Sequence, residues 1–294
     1  MRPLRALIIY LAVVFVGGAL LAPWLYWLAQ AVAPKLAQQP FHRYVNRSLI
    51  VLALAGLYPL LRSLGARTLA EVGLVKPAGH WRRLFAGLGL GFFSLALVAG
   101  LALLAGARTW PENLTVARVA AKVVSATLTA VVVAVMEEIL FRGGIFGGLR
   151  RVLDWRFALV VSSSVYAVVH FFARTNDPQA VTWLSGLDQL GLMLGGFTDL
   201  RTIIPGFFNL TLAGVMLAFA FQRTGNLYFS IGLHASWIFW LKLYLALTTE
   251  VPGANLQLWG SGKLIDGWLA LGVLTLTLAI LPRLSTPREP TPEP

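Results

Sequence analysis

Apolar runs long enough to cross a membrane follow one another along almost the whole chain. An α-helix needs about 20 mostly apolar residues to cross the hydrocarbon core of a bilayer, which is about 30 Å thick. Of the 294 residues, 57% are hydrophobic and 12% are charged, whereas soluble domains have about 25% charged residues. We therefore predict an all-α, polytopic membrane helix bundle with about eight transmembrane helices. The predicted spans are residues 4–33, 47–62, 84–106, 118–141, 156–173, 202–222, 227–247 and 264–282.

The spans predict a single transmembrane domain over residues 1–283. The first run has the basic start of a signal peptide, but it is much longer than the 7–15 residues of a signal peptide's apolar region. We therefore expect it to be a retained first span. The longest external loop is predicted at residues 174–201, with a short helix that dips back towards the membrane. Residues 284–294 are rich in proline and polar side chains, which predicts a disordered tail.

Basic residues are spread over the loops and indicate how the chain lies in the membrane. The net charge is +12, but the Lys and Arg side chains do not form one stripe of the kind that binds nucleic acid. Cytoplasmic loops of membrane proteins carry an excess of Lys and Arg. That excess predicts a multi-pass integral protein of the cell (inner) membrane with its N- and C-termini cytoplasmic, and the lipid bilayer as its surroundings.

Two adjacent glutamates, Glu137 and Glu138, fall deep inside the fourth predicted span. A charged side chain at the centre of a bilayer costs roughly 2.5–3.5 kcal/mol on insertion scales. Arg142 follows Glu138 by four residues, so the two share a helix face and can form an ion pair that keeps Glu138 ionised. His170 and His234 lie in the fifth and seventh spans. We predict that these five side chains converge, because a shared polar cluster offsets the cost of burying each one.

A carboxylate and two imidazoles around one point can support hydrolysis by two routes. In one, Glu137, His170 and His234 hold a divalent metal that acidifies a bound water, with Zn²⁺ the metal expected for these ligands. In the other, no metal is present, the carboxylate acts as a general base and the imidazoles donate to an oxyanion. Tyr166 lies one helical turn before His170, so it can pack against the imidazole or join the network. The chain has no cysteine, which excludes thiolate ligands and a cysteine nucleophile.

Three short motifs on these spans resemble the signatures of a known family. EEILFR at 137–142 matches EExxxR, YAVVH at 166–170 matches [FY]xxxH, and GLHASWIF at 232–239 resembles HxxxN. In this order they resemble the CPBP (CAAX protease and bacteriocin-processing, Abi/Rce1-like) family of intramembrane metalloproteases, with a motif core at residues 118–247. The resemblance implies an intramembrane endopeptidase that cleaves a membrane-anchored or lipidated, CAAX-like protein or peptide.

The resemblance also implies a role for each matching residue. Glu137 would activate the attacking water, and Glu138 and Arg142 would support it. His170 and His234 would bind either the metal or the oxyanion. These roles are expectations carried over from the motifs, position by position.

One position departs from the family pattern. The residue four places after His234 is Ile238, where the family has asparagine, and an isoleucine side chain cannot donate a hydrogen bond to an oxyanion. Asn209 and Ser236 are the candidates to supply that donor instead.

Two functions of other classes stay open from the sequence. In a proton- or cation-coupled transporter, the acidic pair would be the ion site, although such proteins have inverted repeats and the pair has no counterpart elsewhere in the chain. In a catalytically silent immunity or partner protein, Ile238 would reflect the loss of activity. The GxSxG and HExxH patterns of other hydrolases are absent from the sequence.

Overall fold

The computed structural model describes residues 2–172, 176–197 and 200–286. Helices dominate this part of the chain, and its two short strands, β1 (Arg108–Thr109) and β2 (Thr249–Glu250), pair antiparallel. The helices are α1 (Arg2–Ala12), α2 (Gly18–Val32), α3 (Pro34–Ala37), α4 (Phe41–Ser63), α5 (Trp81–Leu104), α6 (Val116–Glu137), α7 (Gly147–Leu149), α8 (Trp155–Val169), α9 (Ser185–Met193), α10 (Leu200–Thr224), α11 (Tyr228–Leu247), α12 (Leu256–Trp259) and α13 (Trp268–Leu284).

The predicted all-α membrane bundle is confirmed. Within the described ranges, 6 continuous helical segments are long and apolar enough to cross a bilayer, and α8 and α13 are shorter apolar helices. Two π-helical segments lie inside the long ones: Val13–Gly17 joins α1 to α2, and Glu138–Phe146 joins α6 to α7. One 3-10 turn, Ala70–Val72, precedes α5, and another, Leu194–Phe197, follows α9.

The structure corrects two predicted span ends. The fourth span continues to Leu149 through the π-helical segment, rather than ending at residue 141. The fifth ends at Val169 rather than at residue 173, so His170 is the C-cap of α8 and does not lie inside the helix. No glycine or proline marks this helix end, and the apolar pattern continues past it.

Parts of two other predictions fall outside the described residues. The loop predicted at 174–201 does contain a short helix, α9, which packs on α2, but residues 173–175 and 198–199 are not described. The predicted tail begins at the end of α13, and its residues 287–294 are not described either.

Helix α11 lies at the centre of the part of the bundle that carries the polar motifs, packed between α5 and α6. Glycines allow its close approach to α5. A methyl group added at Gly87 would collide with the carbonyl oxygen of Phe229, and one added at Gly232 would collide with that of Leu84. Small residues at helix crossings let membrane helices pack closely by van der Waals contact. This crossing fixes the position of His234, two residues after Gly232.

Helix α6 is peripheral and has two distinct faces. Val124, Leu128 and Val132 point outwards and are exposed, as expected of a face that meets lipid. Small residues four apart form the opposite face, where Ala130 and Ala134 pack with Ala235 and Ile238 of α11. Four residues after Ala134, this inward face reaches Glu138. The spacing along α6 therefore turns Glu138 towards α11.

Candidate active site

Glu138 is completely buried and holds two partners. Its Oε1 lies 2.8 Å from Nδ1 of His234 and 3.0 Å from Nη1 of Arg142, and 0% of its side chain is exposed. Arg142 is nearly as buried, with 2% of its side chain exposed. Charge-assisted contacts of this kind compensate for the burial of a carboxylate. The predicted pairing of Glu138 with Arg142 is thus present in the structure.

Glu137 points in a different direction, towards both imidazoles. Its Oε2 lies 3.7 Å from Nε2 of His234 and 3.8 Å from Nε2 of His170. The same oxygen is buried and has no hydrogen-bond partner among the described residues. Because 19% of the Glu137 side chain is exposed, against none of Glu138, Glu137 is the carboxylate that a substrate or water can reach.

Contacts to their Nδ1 atoms orient both histidine rings. Nδ1 of His170 lies 2.7 Å from the carbonyl oxygen of Tyr166, and Nδ1 of His234 lies 2.8 Å from the Glu138 carboxylate. A carbonyl or an ionised carboxylate oxygen only accepts hydrogen bonds, so each Nδ1 carries a proton and donates it. In the neutral imidazoles, both Nε2 atoms then present lone pairs towards Glu137.

Tyr166 completes the polar cluster. Its hydroxyl lies 3.3 Å from Nε2 of His234, and Cζ of Arg142 lies 4.4 Å from the centre of its ring. Phe141 packs on the same ring in a T-shaped arrangement at a centroid distance of 5.1 Å. The cation–π contact gives Arg142 a second partner besides Glu138, and the aromatic contacts hold the tyrosine in one position.

A π-helical segment carries much of this cluster. Glu138 and Arg142 both lie in the segment Glu138–Phe146, where the turn is wider than in an α-helix. Single π-helical turns occur frequently at functional sites. Gly143 follows in the same segment, and a side chain there would lie 2.7 Å from the carbonyl oxygen of Val72. The widened turn therefore packs closely on the loop before α5.

Glu137, Tyr166 and the two histidines line a cavity of about 70 Å³. The rest of the lining forms an apolar wall and comes from α10, α11, α13 and the chain just before α13. Its lining residues are Leu210, Ala213, Trp237, Ile238, Leu241, Ile265 and Leu274. The cavity has room for water beside the carboxylate, since one buried water needs roughly 10–15 Å³ measured in this way.

The structure does not bring the two predicted replacement donors to this cavity. The side-chain amide of Asn209 donates to the carbonyl oxygen of Gly267 at 2.9 Å. The hydroxyl of Ser236 donates to the carbonyl oxygen of Leu88 at 2.7 Å. Neither residue lines the cavity. Ile238, in contrast, does line it and also packs on the alanine face of α6.

Sequence reasoning missed Trp237 and the apolar wall. Trp237 lines the cavity while its indole Nε1 donates to the Ser94 hydroxyl at 3.0 Å. Its position inside the third motif, between His234 and Ile238, was the available signal. Leu210, Ile265 and Leu274 carry no chemical signature and reach the site only through packing of helices distant in sequence.

Glu137, His170 and His234 are of the residue types that bind Zn²⁺, but their atoms are not at the distances of a zinc site. Carboxylate oxygen and imidazole nitrogen are Zn²⁺ ligands, and tetrahedral bonds of 2.0–2.1 Å place ligand atoms about 3.4 Å apart. The separations from Glu137 are 3.7 and 3.8 Å. Over residues 2–172, 176–197 and 200–286, no group of three or more His, Cys, Asp or Glu side chains could hold a metal ion. The ligands would need to move inwards by a few tenths of an ångström.

The fold and this cluster define a polytopic membrane protein with a buried glutamate–histidine site. Residues 119–240 match the family model described as Type II CAAX prenyl endopeptidase Rce1-like, which confirms the resemblance predicted from the three motifs. The match contains every residue of the polar cluster and supports an intramembrane endopeptidase of the CAAX protease type. No curated protein and no solved structure matches the chain.

Proposed function

We propose that this protein is an intramembrane endopeptidase that hydrolyses a peptide bond of a membrane-anchored or lipidated, CAAX-like protein or peptide. The observation that carries the proposal is the environment of Glu137. Its Oε2 has no hydrogen-bond partner among the described residues and lies 3.8 and 3.7 Å from the Nε2 atoms of His170 and His234, and all three residues line one cavity. A carboxylate so placed is positioned to act as a general base on a water in the cavity.

The chemistry then follows in two steps. Glu137 removes a proton from the water as the water oxygen bonds to the carbonyl carbon of the substrate, and the carbonyl oxygen becomes an oxyanion. When the tetrahedral intermediate collapses, the C–N bond breaks and the protonated Glu137 gives its proton to the leaving amine. Each proton-transfer role of this kind typically contributes 10²–10⁴-fold to a rate.

Glu138 and Arg142 support the chemistry without taking part in it. Glu138 accepts the Nδ1 hydrogen of His234, which leaves Nε2 unprotonated on the side of Glu137. Arg142 balances the charge of Glu138 at 3.0 Å. The buried pair therefore fixes both the tautomer and the orientation of His234, as carboxylates behind catalytic histidines do.

A divalent metal, Zn²⁺ by ligand type, is compatible with the donors although the site can also work without one. Glu137, His170 and His234 would hold it, and it would supply Lewis-acid activation of water. Elemental analysis of the purified protein tests this: one equivalent of metal in the wild type, lost in His170→Ala and retained in His42→Ala, supports the metal route. A metal content that does not depend on His170 contradicts it.

The apolar wall of the cavity suits a substrate that lies in or at the membrane. Trp237, Leu241 and Leu274 line the same cavity as the two imidazoles, so an apolar side chain beside the scissile bond would find apolar contacts there. A peptide anchored by lipid or by a spanning segment would bring its cleavage site to the depth of Glu137 without leaving the bilayer.

Cleavage of reporter peptides by the purified, vesicle-reconstituted protein tests the function. The wild type should cleave a membrane-anchored peptide, and Glu137→Ala should not. Glu112→Ala, which changes an exposed loop carboxylate, is the matched control and should cleave normally. Proton or cation flux without cleavage would indicate a transporter, and neither activity would favour a silent partner protein.

A further inference from the structure

Hydrolysis at this site needs a donor for the oxyanion, and the expected one is missing. The position where the family motif has asparagine holds Ile238, which lines the cavity with an apolar side chain. One such donor is worth about 10²–10³ in turnover rate in characterised hydrolases. The following inference rests on the proposed function and concerns which side chain replaces the asparagine.

The cavity lining offers few N–H or O–H groups. In the neutral imidazoles, His170 and His234 have their ring protons on Nδ1, directed away from the cavity at a carbonyl and a carboxylate. The indole of Trp237 donates to Ser94. Among the described lining residues, the Tyr166 hydroxyl is then the donor that faces the cavity, at 3.3 Å from Nε2 of His234. We propose that this hydroxyl is the oxyanion donor of the enzyme.

The surroundings of Tyr166 suit that role. Its contact to His234 is long for a hydrogen bond from a hydroxyl, which is typically 2.7–2.8 Å, so little interaction is lost when the hydroxyl turns to another acceptor. Arg142 over the ring and the T-shaped contact with Phe141 fix the side chain, which is 4% exposed. Because the ring is held in place before the reaction, only the O–H bond has to turn when charge develops.

Arg142 also places a positive charge beside the phenol. Its guanidinium lies 4.4 Å from the ring centre of Tyr166, within the range of a cation–π contact. The Tyr166 hydroxyl keeps its proton throughout the reaction: as water adds to the carbonyl carbon, the O–H bonds to the new oxyanion, and the contact weakens again when the C=O bond re-forms.

Kinetics of Tyr166→Phe test the proposal, because this change removes the hydroxyl and keeps the ring. We expect kcat to fall about 100- to 1000-fold with KM changed less than about threefold. Tyr10→Phe is the matched control. Tyr10 is also buried, and its hydroxyl donates to the carbonyl oxygen of Ala53, so its loss should leave kcat unchanged. A purely structural role for Tyr166 would instead appear as a lowered melting temperature without a selective loss of kcat.

A second experiment introduces the asparagine of the family motif at position 238. In the Tyr166→Phe background, Ile238→Asn should restore kcat at least about tenfold, since it adds an amide donor to the same cavity. In the wild-type background the same change should raise kcat much less. A Tyr166→Phe variant with wild-type kcat, while Glu137→Ala is inactive, overturns the donor role alone. A wild type that cleaves nothing overturns the proposed function and this inference with it.

Discussion

Nδ1 of His234 lies 2.8 Å from Oε1 of Glu138, whereas Nε2 of the same ring faces Oε2 of Glu137 at 3.7 Å. The two carboxylates, although adjacent in sequence, thus contact opposite nitrogens of one imidazole and have different surroundings. Glu138 is sealed in the bundle and positions the ring. Glu137 lines the cavity and is free to react.

Glutamine substitutions should separate the two roles. Glu137→Gln removes the proposed base, so we expect cleavage to fall by about 10²–10⁴-fold with the fold intact. Glu138→Gln keeps an oxygen that can accept from Nδ1 of His234 but loses the negative charge, so a smaller loss of about 10–100-fold is expected, the range typical of partners of metal-binding histidines. Steady-state kinetics on one reporter peptide would check the order, and equal losses in the two variants would speak against it.

Loss of Arg142 should destabilise the protein although Arg142 does no chemistry. Arg142→Ala leaves the Glu138 carboxylate buried without its cationic partner, which typically costs about 3–5 kcal/mol, and it also removes the contact to the Tyr166 ring. Thermal unfolding in detergent measures the effect. Arg118→Ala, at an exposed position early in α6, serves as control. Unchanged melting together with full activity for Arg142→Ala would refute the supporting role.

Close packing of α5 on α11 should affect both the stability of the protein and the position of His234 in the site. Gly87→Ala places a methyl group against the carbonyl oxygen of Phe229, so the helices must separate and His234 must shift. Overpacking of this kind typically costs about 1–3 kcal/mol, and we expect cleavage to fall with it. Gly89→Ala lies two residues along the same helix with open space at its Cβ and should be neutral. Similar melting temperatures for both variants would contradict the close-packed crossing.

Membrane orientation can be tested with single cysteines, because the natural chain has none. At one end of the bundle, contacts join the loops between α4 and α5 and after α7, as in the 3.5 Å ion pair of Arg151 with Glu71. We propose that this end is cytoplasmic. Lys76→Cys should then react with an impermeant maleimide only after cells are permeabilised, whereas Glu112→Cys should react from outside. The reverse pattern would invert the assigned topology.

The bundle was largely predictable because the bilayer restricts what an apolar run can form. All eight predicted spans correspond to helical segments, and the spacing of Glu138 and Arg142 correctly predicted their ion pair. The π-helical turn at Glu138–Phe146 could not be predicted, since it depends on packing and not on a local pattern.

The composition of the cavity was predictable only in part. Polar side chains inside apolar spans cost free energy unless they have polar partners. The sequence therefore predicted that Glu137, His170 and His234 lie close together. The apolar wall gave no such signal, because Leu210 and Leu274 look like any other residues that face lipid or a neighbouring helix. Spacing along one helix shows which residues share a face, but it does not show which other helix that face meets.

Product analysis of a membrane-anchored peptide incubated in isotopically labelled water is the most direct test of whether Glu137 activates a water for cleavage. We expect the wild-type protein to release two fragments, with one labelled oxygen at the new carboxyl terminus, and Glu137→Gln to release neither fragment at a comparable rate. Glu112→Gln should match the wild type. An intact peptide with the wild type, or the same labelled product from Glu137→Gln at the wild-type rate, would contradict a water activated by Glu137.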